Sequence, residues 1–387
     1  MDLALYHPQF GYYARAARRS GRHGDFFTSA DAGRLFGELL AEQFAEMAGV
    51  LPGDRPLDLV EAGAGSGRLA ADVLRALAQR HPALLARVRL HLIEASVAAR
   101  AAHAATLGPF ADRLVTSAAT LDALQPSTVP AATPSSAALT PFTGILYANE
   151  LLDAFSVHRV VRRGSELREV YVEVAAPPAT GGVTREPGAP IRLTTSEGPL
   201  STPRLETHFA SLGVELPDGH YADVSLAAGD WLRAAAAHLQ RGFVLLIDYG
   251  WPAHVLYGAA HPHGTLTAYR RHTATMAEVS GRPAAWLDAP GDQDLTAHVD
   301  FTAVEHAAAA GGLDRLGFVD QTYFLLGLLP RHPLAAGEPS AAAAQQRLAL
   351  KTLVLPGGLG STMKAIAFGK QVGRPALAGF PREGRVT

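Results

Sequence analysis

Leu59-Val60-Glu61-Ala62-Gly63-Ala64-Gly65-Ser66-Gly67 is the stretch on which the fold of this 387-residue chain turns. A short apolar run ends at Glu61-Ala62, glycine then recurs at every second position, and an Ala- and Leu-rich segment of helical period follows from Leu69. This pattern reads as a strand, a tight turn and a helix. Glycine has no Cβ, so the turn lets a ligand approach the backbone closely, and the following helix aims its first N–H groups at the same point. A dinucleotide fingerprint needs its third glycine one position further along, where this chain has Arg68. The spacing is therefore G-x-G-x-G, and pyrophosphate binding is disfavoured.

Working outward, apolar runs at 89–94, 114–118, 144–148, 243–248 and 363–369 join 57–62 as expected strands. Most are apolar throughout, as strands buried on both faces should be. Helical periods are read at 34–48, 69–80, 96–107, 226–240 and 302–310, the last with Thr302 as N-cap and Gly311 as stop. The alternation predicts an α/β fold with a doubly wound, mostly parallel, Rossmann-like sheet. Two regions break it. Residues 157–174 alternate like a hairpin turning at Gly164-Ser165 and are expected to project beside the cleft. The Gly-, His- and Pro-rich stretch between Tyr249 and Gly317 is longer than a connection needs, and reads as an inserted smaller lobe carrying selectivity. The expected division is 1–250 for an N-terminal segment and core, 251–317 for the inserted substrate lobe, and 318–387 for strands completing the sheet. Pro-, Ala-, Ser- and Thr-rich stretches at 125–141, 175–190 and 333–345 read as surface loops.

Glu94 ends the second expected strand, in His91-Leu92-Ile93-Glu94, where a carboxylate accepts both hydrogen bonds of a ribose diol. Together with the G-x-G-x-G spacing this points to S-adenosylmethionine rather than a dinucleotide. The plainer alternative is a tight turn beside a solvated strand end.

The chain carries 34 Lys plus Arg against 36 Asp plus Glu, a net charge of -2, so no overall field attracts nucleic acid or an anionic membrane. Arg270-Arg271-His272 and Arg18-Arg19 are small basic clusters without interleaved aromatics, and read as solvated surface. Cysteine is absent, which removes disulfide and thiolate chemistry. The first residues lack a basic region followed by an apolar stretch, and no window approaches the roughly 20 apolar residues of a membrane span, so a cytoplasmic location is expected. The 16 histidines show no metal-ligand spacing, and no metal is expected.

Seven blocks in order carry a family resemblance: 5–13 (LYHPQFGYY), 24–29 (GDFFTS), 35–38 (LFGE), the glycine loop, 148–158 (ANELLDAFSVH), 246–250 (LIDYG) and 294–301 (DLTAHVDF). By these the chain resembles the MidA-like methyltransferases, relatives of the mitochondrial complex I assembly factor that methylates a protein arginine. The resemblance spans nearly the whole chain. It implies S-adenosylmethionine as cofactor, an arginine of a partner protein as acceptor, and an acceptor-side motif at 148–158. A homodimer would be compatible with it. Family members usually have proline where this chain has Ala64 and Ser156, and alanine and serine permit the same turns. The chain begins almost at the first block, so either the N-terminus is trimmed or one wall of the site is short.

Methyl transfer from a sulfonium is an in-line displacement, which asks mainly for positioning and desolvation of the nucleophile. Carboxylates suit a guanidinium acceptor, because they hold it bidentately. Asn149, Glu150 and Asp153 follow the fourth strand at the carboxyl edge where open α/β sheets bind ligands, and form the preferred substrate-facing cluster. Alternatively, Asp153 caps a following helix and Glu150 is solvated. Asp25, Thr28 and Ser29 are expected over the cofactor, with Asp25 meeting its amino group; equally, Thr28 or Ser29 caps a helix from Asp31. His298 shares a face with Asp300 if Leu295 to Phe301 is a strand, and is a candidate proton acceptor or specificity contact. It is equally a structural histidine, with Asp294 or Thr296 capping a helix. The expected cofactor set is thus Asp25, Thr28, Ser29, Glu61, Gly63, Gly65, Gly67, Glu94 and Asn149, and the catalytic set Glu150, Asp153 and His298. Rival readings are methylation of a small-molecule oxygen or nitrogen with His298 or His158 as base, and a non-catalytic assembly factor that keeps the fold.

Overall fold

Residues of odd and even number along the central strands bury against opposite faces, and this alternation builds the core. The computed structural model describes residues 1–15, 29–124, 141–175, 191–270, 273–275, 284–336, 340–355, 359–381 and 386. Its central strands are β1 (Leu57–Ala62), β2 (Val88–Ile93), β3 (Leu114–Ala118), β4 (Phe142–Asn149), β5 (Leu239–Trp251), β6 (Asp314–Asp320) and β7 (Met363–Lys370). Leu57, Leu59, Ile145, Tyr147, Phe243, Leu245, Ala365 and Ala367 join one buried cluster with the helices Arg34–Val50 and Arg68–Arg80. Val60, Ala62, Leu146, Ala148, Val244, Leu246 and Ile366 join the other, with helices Leu226–His238 and Phe301–Ala310. Every residue of β1 is buried, as a strand covered by helices on both sides requires.

The strand order is β6-β7-β5-β4-β1-β2-β3. β1 pairs in parallel with β2 and β4, and β4 with β5, while β7 runs antiparallel to both β5 and β6. The chain moves outward to β3, then restarts on the other side of β1 with β4. That reversal opens a crevice beyond the carboxyl ends of β1 and β4, where such sheets bind ligands.

Two smaller sheets join the central one, and among the described residues only the three-stranded sheet, through Asp294 and Thr296, lines the cavity at the crevice. The expected hairpin exists as His158–Arg163 and Glu166–Val174, and Leu193–Gly198 and Tyr221–Val224 extend it to four antiparallel strands. A three-stranded sheet of Thr273–Thr275, Thr267–Arg270 and Asp294–Thr296 lies between β5 and the helix Phe301–Ala310. Its core includes Leu266, Ala268, Trp286 and Leu295, and takes in Leu5 and Tyr12 from the start of the chain.

Two expectations need correcting. The helix Phe301–Ala310 packs over the central sheet and β6 belongs to that sheet, so a lobe reaching Gly317 runs too far into the central layer. β6 was illegible because its residues DRLGFVD are half-exposed over most of their length and form no apolar run. The N-cap of Phe301–Ala310 is Asp300, whose Oδ1 accepts from the Ala303 N–H at 3.0 Å; Thr302 instead accepts the Ala253 N–H at 2.9 Å. Gly311 does end that helix.

Candidate active site

At the end of β1 the three glycines of the loop have φ of +71° (Gly63), +50° (Gly65) and +83° (Gly67), a region that side chains rarely enter. The N–H groups of Gly63 and Ala64 both donate to the Ile93 carbonyl, at 2.9 and 3.1 Å, and pin the loop to the end of β2. Glu94 holds it from the other side: its Oε2 accepts the Gly65 N–H at 2.9 Å and its Oε1 the Ser96 N–H at 2.7 Å. His103 pairs with the Gly65 carbonyl through Nε2 at 2.9 Å. A Cβ at Gly65 would meet no atom of the described residues within 4 Å. Glu61 lies beneath, accepting the Tyr147 hydroxyl at 3.0 Å, and burial pushes its carboxyl up to about 8.

β4 delivers the second half of the site. Its last residue, Asn149, is followed by Glu150 at φ +53°, a left-handed conformation that costs a non-glycine residue free energy and clusters at functional positions. The Glu150 N–H donates to the Ile247 carbonyl of β5 at 2.8 Å. Its Oε1 accepts from the Ser29 N–H at 3.0 Å and from Asn149 Nδ2 at 2.9 Å, while Oε2 is buried with no partner among the described residues. Asp248 shapes the turn, its Oδ2 accepting the N–H groups of Leu151 and Leu152 at 3.0 and 2.8 Å. Asp153 is 4% exposed and its Oδ1 also lacks a partner among the described residues. No helix follows Asp153, so the capping alternative fails.

Burial pushes the Glu150 carboxyl up to about 8 and that of Asp248 to about 7. For Asp153, burial and then the charges of Asp248, Glu150 and Asp294 hold the carboxyl well above the usual range. Three carboxyls are thus assembled where none is comfortable as an anion, an arrangement that a bound cation relieves.

The loop and this turn face one cavity of about 630 Å³. Glu61, Gly63, Gly65, Glu94, Asn149, Glu150 and Asp153 line it, and Ser29 touches it through its bond to Glu150. Gly67 stands just behind as N-cap of Arg68–Arg80. Ser29 caps no helix; its hydroxyl donates to Gln321 Oε1 at 3.0 Å. Asp25, Thr28, Arg18, Arg19, Arg271 and His272 lie outside the described residues.

His298 is elsewhere. It lines a separate cavity of about 350 Å³ against the helices Arg204–Leu212, Leu226–His238 and Phe301–Ala310. Its Nδ1 accepts from Trp251 Nε1 at 3.1 Å, and burial followed by the neighbouring His261 pushes the imidazole down to about 4. Asp300 lines the same cavity, so the shared face is real, but the strand is interrupted at 297–298 and no helix is capped by Asp294 or Thr296. His158 pairs with Glu169 at 2.8 Å in the four-stranded sheet, away from the 630 Å³ cavity. Neither histidine is placed as a base there.

Sequence reasoning missed the third wall. Asp2, Tyr6, Tyr12 and Tyr13 line the cavity beside Asp294 and Thr296. The tyrosines stand in block 5–13 and Asp294 opens block 294–301, but nothing local in either block shows that they meet.

A profile describing S-adenosyl-L-methionine-dependent methyltransferases matches residues 39–319. The mitochondrial protein arginine methyltransferase NDUFAF7 of Mus musculus is 29% identical over 356 residues, 88% of this chain and 73% of that one. The Drosophila melanogaster homolog is 28% identical over 335 residues, 84% and 69% of the two chains. A Burkholderia thailandensis protein solved with S-adenosyl-homocysteine superposes with TM-score 0.79 at 28% identity, covering 99% of this chain and 89% of its own. The mitochondrial designation of the curated relatives overturns the cytoplasmic location expected above, which rested on features the chain lacks. A glycine loop bound to a strand-end acid, a carboxylate turn after β4 and a matched segment longer than half the chain agree, and the chain belongs to the MidA-like family of S-adenosyl-L-methionine-dependent methyltransferases.

Proposed function

We propose that this methyltransferase acts on a guanidinium nitrogen of an arginine in a partner protein. One observation carries the acceptor: Glu150 Oε2 and Asp153 Oδ1 are buried carboxylate oxygens without partners among the described residues, beside the cavity that the glycine loop opens on. Burying such atoms unpaired costs free energy. A guanidinium, with five donors and a permanent charge, satisfies them; a phenol or alcohol brings a single donor. The names of the mouse and fly relatives agree with this acceptor.

The residues present suit the cofactor. The space beside Gly65 is one a Cβ would occupy, the Glu94 carboxylate stands at the same end, and Asn149 Oδ1 is a third buried atom without a partner. In this reading Gly63, Gly65 and Gly67 shape the loop, Glu94 meets the ribose, and Ser29 and Asn149 stand at the methionine end. When bound, S-adenosylmethionine supplies an electrophilic methyl group on a cationic sulfur. The chain's own residues do the rest by position. Glu150, held by the Ser29 N–H and the Asn149 amide, directs a free oxygen at the acceptor and orients the attacking nitrogen. The methylated nitrogen must lose one proton, and ionised Asp153, whose environment favours the protonated form, takes it.

The test is incubation of the purified chain with methyl-labelled S-adenosylmethionine and cell extract, followed by mass spectrometry. Label on arginine that disappears with Glu150→Gln supports the reading. Label only on other residue types or on small molecules, or none at all, refutes it. The histidine-based rival lost its ground when His298 and His158 fell outside the cavity.

A further inference from the structure

The far end of the cavity is closed by residues to which the methyl-transfer machinery above assigns no task. Tyr6 and Tyr13, both half-buried, stack with ring centroids 5.5 Å apart and an interplanar angle of 28°. The Tyr6 hydroxyl donates to the Ala154 carbonyl at 2.8 Å, one residue beyond Asp153. The Tyr13 hydroxyl donates to Asp294 Oδ1 at 3.0 Å, and the Ala297 N–H donates to the Asp153 carbonyl at 3.0 Å. Three distant stretches of chain are thereby knitted into one wall around Asp153.

Both phenolic protons are committed to protein acceptors. What the tyrosines offer the cavity is therefore oxygen lone pairs and ring faces, beside the carboxylates of Asp294 and Asp153. Burial and the charges of Asp153 and Asp294 hold both phenols above the ordinary tyrosine range, so they stay neutral. A wall of acceptors and π-faces complements a planar cation rich in donors. A neutral hydroxyl leaves most of it unsatisfied, and a compact ammonium lacks the flat faces that stack on rings.

We propose that Tyr6, Tyr13 and Asp294 form the specificity wall of the acceptor site, selecting a guanidinium over an ammonium, and that the first 15 residues therefore belong to substrate recognition. This rests on the arginine reading above. The acidic cluster does not stand alone, because Asp153 Oδ1 is buried, unpartnered and part of the same wall.

The experiment uses the full chain loaded with S-adenosyl-homocysteine and two probes, acetyl-Gly-Gly-Arg-Gly-Gly amide and its lysine counterpart, with calorimetric titration of each. The arginine peptide should bind at least about tenfold more tightly than the lysine peptide. Tyr13→Phe, which keeps the ring and removes the bond to Asp294, and Asp294→Asn should each weaken it about fivefold or more, with S-adenosyl-homocysteine affinity held within about twofold. Equal binding of the two peptides, or unchanged arginine affinity in both variants, overturns the proposal. So does a parallel loss of S-adenosyl-homocysteine affinity, which would make the wall a cofactor wall. Should Asp294→Asn fail to fold, Tyr13→Phe alone decides. Should the wild-type chain bind the arginine peptide through these residues yet transfer no methyl group to arginine, the wall stands and the reaction proposed above falls.

Discussion

Replacing Glu150 by glutamine should reduce a rise in acceptor kcat/KM between pH 7 and 9, leaving only the part that Asp153 contributes. Burial places the Glu150 carboxyl near 8 before any ligand binds, and only the ionised form attracts a cation. Arginine stays protonated throughout this range, so the enzyme's group sets the dependence. With the midpoint at 8, about 9% of Glu150 is ionised at pH 7 and about 91% at pH 9, a rise of about tenfold. Saturating S-adenosylmethionine adds a positive charge to the site, and each unit by which it lowers the midpoint shrinks that rise, to about twofold at a midpoint of 7. The expected profile therefore climbs between about twofold and tenfold. Glu150→Gln should make it shallower than in the wild type and lower kcat/KM by about 10- to 150-fold, the worth of one hydrogen bond to a charged group. The assay is initial-rate transfer from methyl-labelled cofactor at subsaturating acceptor, buffered at constant ionic strength. A profile that falls over this range, or an equal climb in the glutamine variant, refutes the assignment of Glu150 to the acceptor.

Gly65→Ala probes the cofactor loop: the added Cβ meets nothing but sits at φ +50°, so the melt should report a loss of about 1–2 kcal/mol while S-adenosyl-homocysteine binding drops more than about tenfold. Retained affinity would remove the loop from the site. Glu61 has a folded value of about 8 against an ordinary 4.5, so its protonated form favours folding, and that contribution is fully present below pH 4.5 and lost as pH rises toward 8. Urea titrations should show the wild type losing up to about 5 kcal/mol more than Glu61→Gln between pH 4 and 9; parallel curves would contradict the shift. Lys364 is fully buried and paired with Asp320 at 2.7 Å, so Lys364→Met, which strands the carboxylate, should destabilise by about 3–5 kcal/mol in the same assay, and a neutral result would show the pair to be dispensable. His298→Asn should leave methyl transfer within about twofold and cost about 1 kcal/mol through the lost Trp251 bond; loss of activity at unchanged stability would return His298 to the chemistry.

How much of this was legible follows from how local each signal is. β1 and its loop were readable because a strand buried on both faces is mostly apolar, and because three closely spaced residues at positive φ favour glycine. The place of Asn149, Glu150 and Asp153 at the end of a central strand was readable because an apolar strand stopped at polar residues on that edge of the sheet. His298 was misplaced for the opposite reason. Its neighbours fit both a strand and a helix entry, and only the parallel pairing of Val299 with Gly250 shows that its ring turns toward the helices rather than the crevice. Tyr6, Tyr13 and Asp294 were beyond reach, since the Tyr13 to Asp294 bond spans 281 positions and no local period encodes it. Glu150 lies between the two kinds of signal. Its sequence neighbours mark it as a strand end, but the setting of its carboxyl comes from the Ser29 N–H, 121 positions away, which occupies one of the two oxygens. Composition and spacing therefore suffice for the cofactor half of such an enzyme, whose loop is one continuous segment. The acceptor half proposed above draws on four segments, near 6–13, 29, 150–153 and 294, and only the fold brings them together.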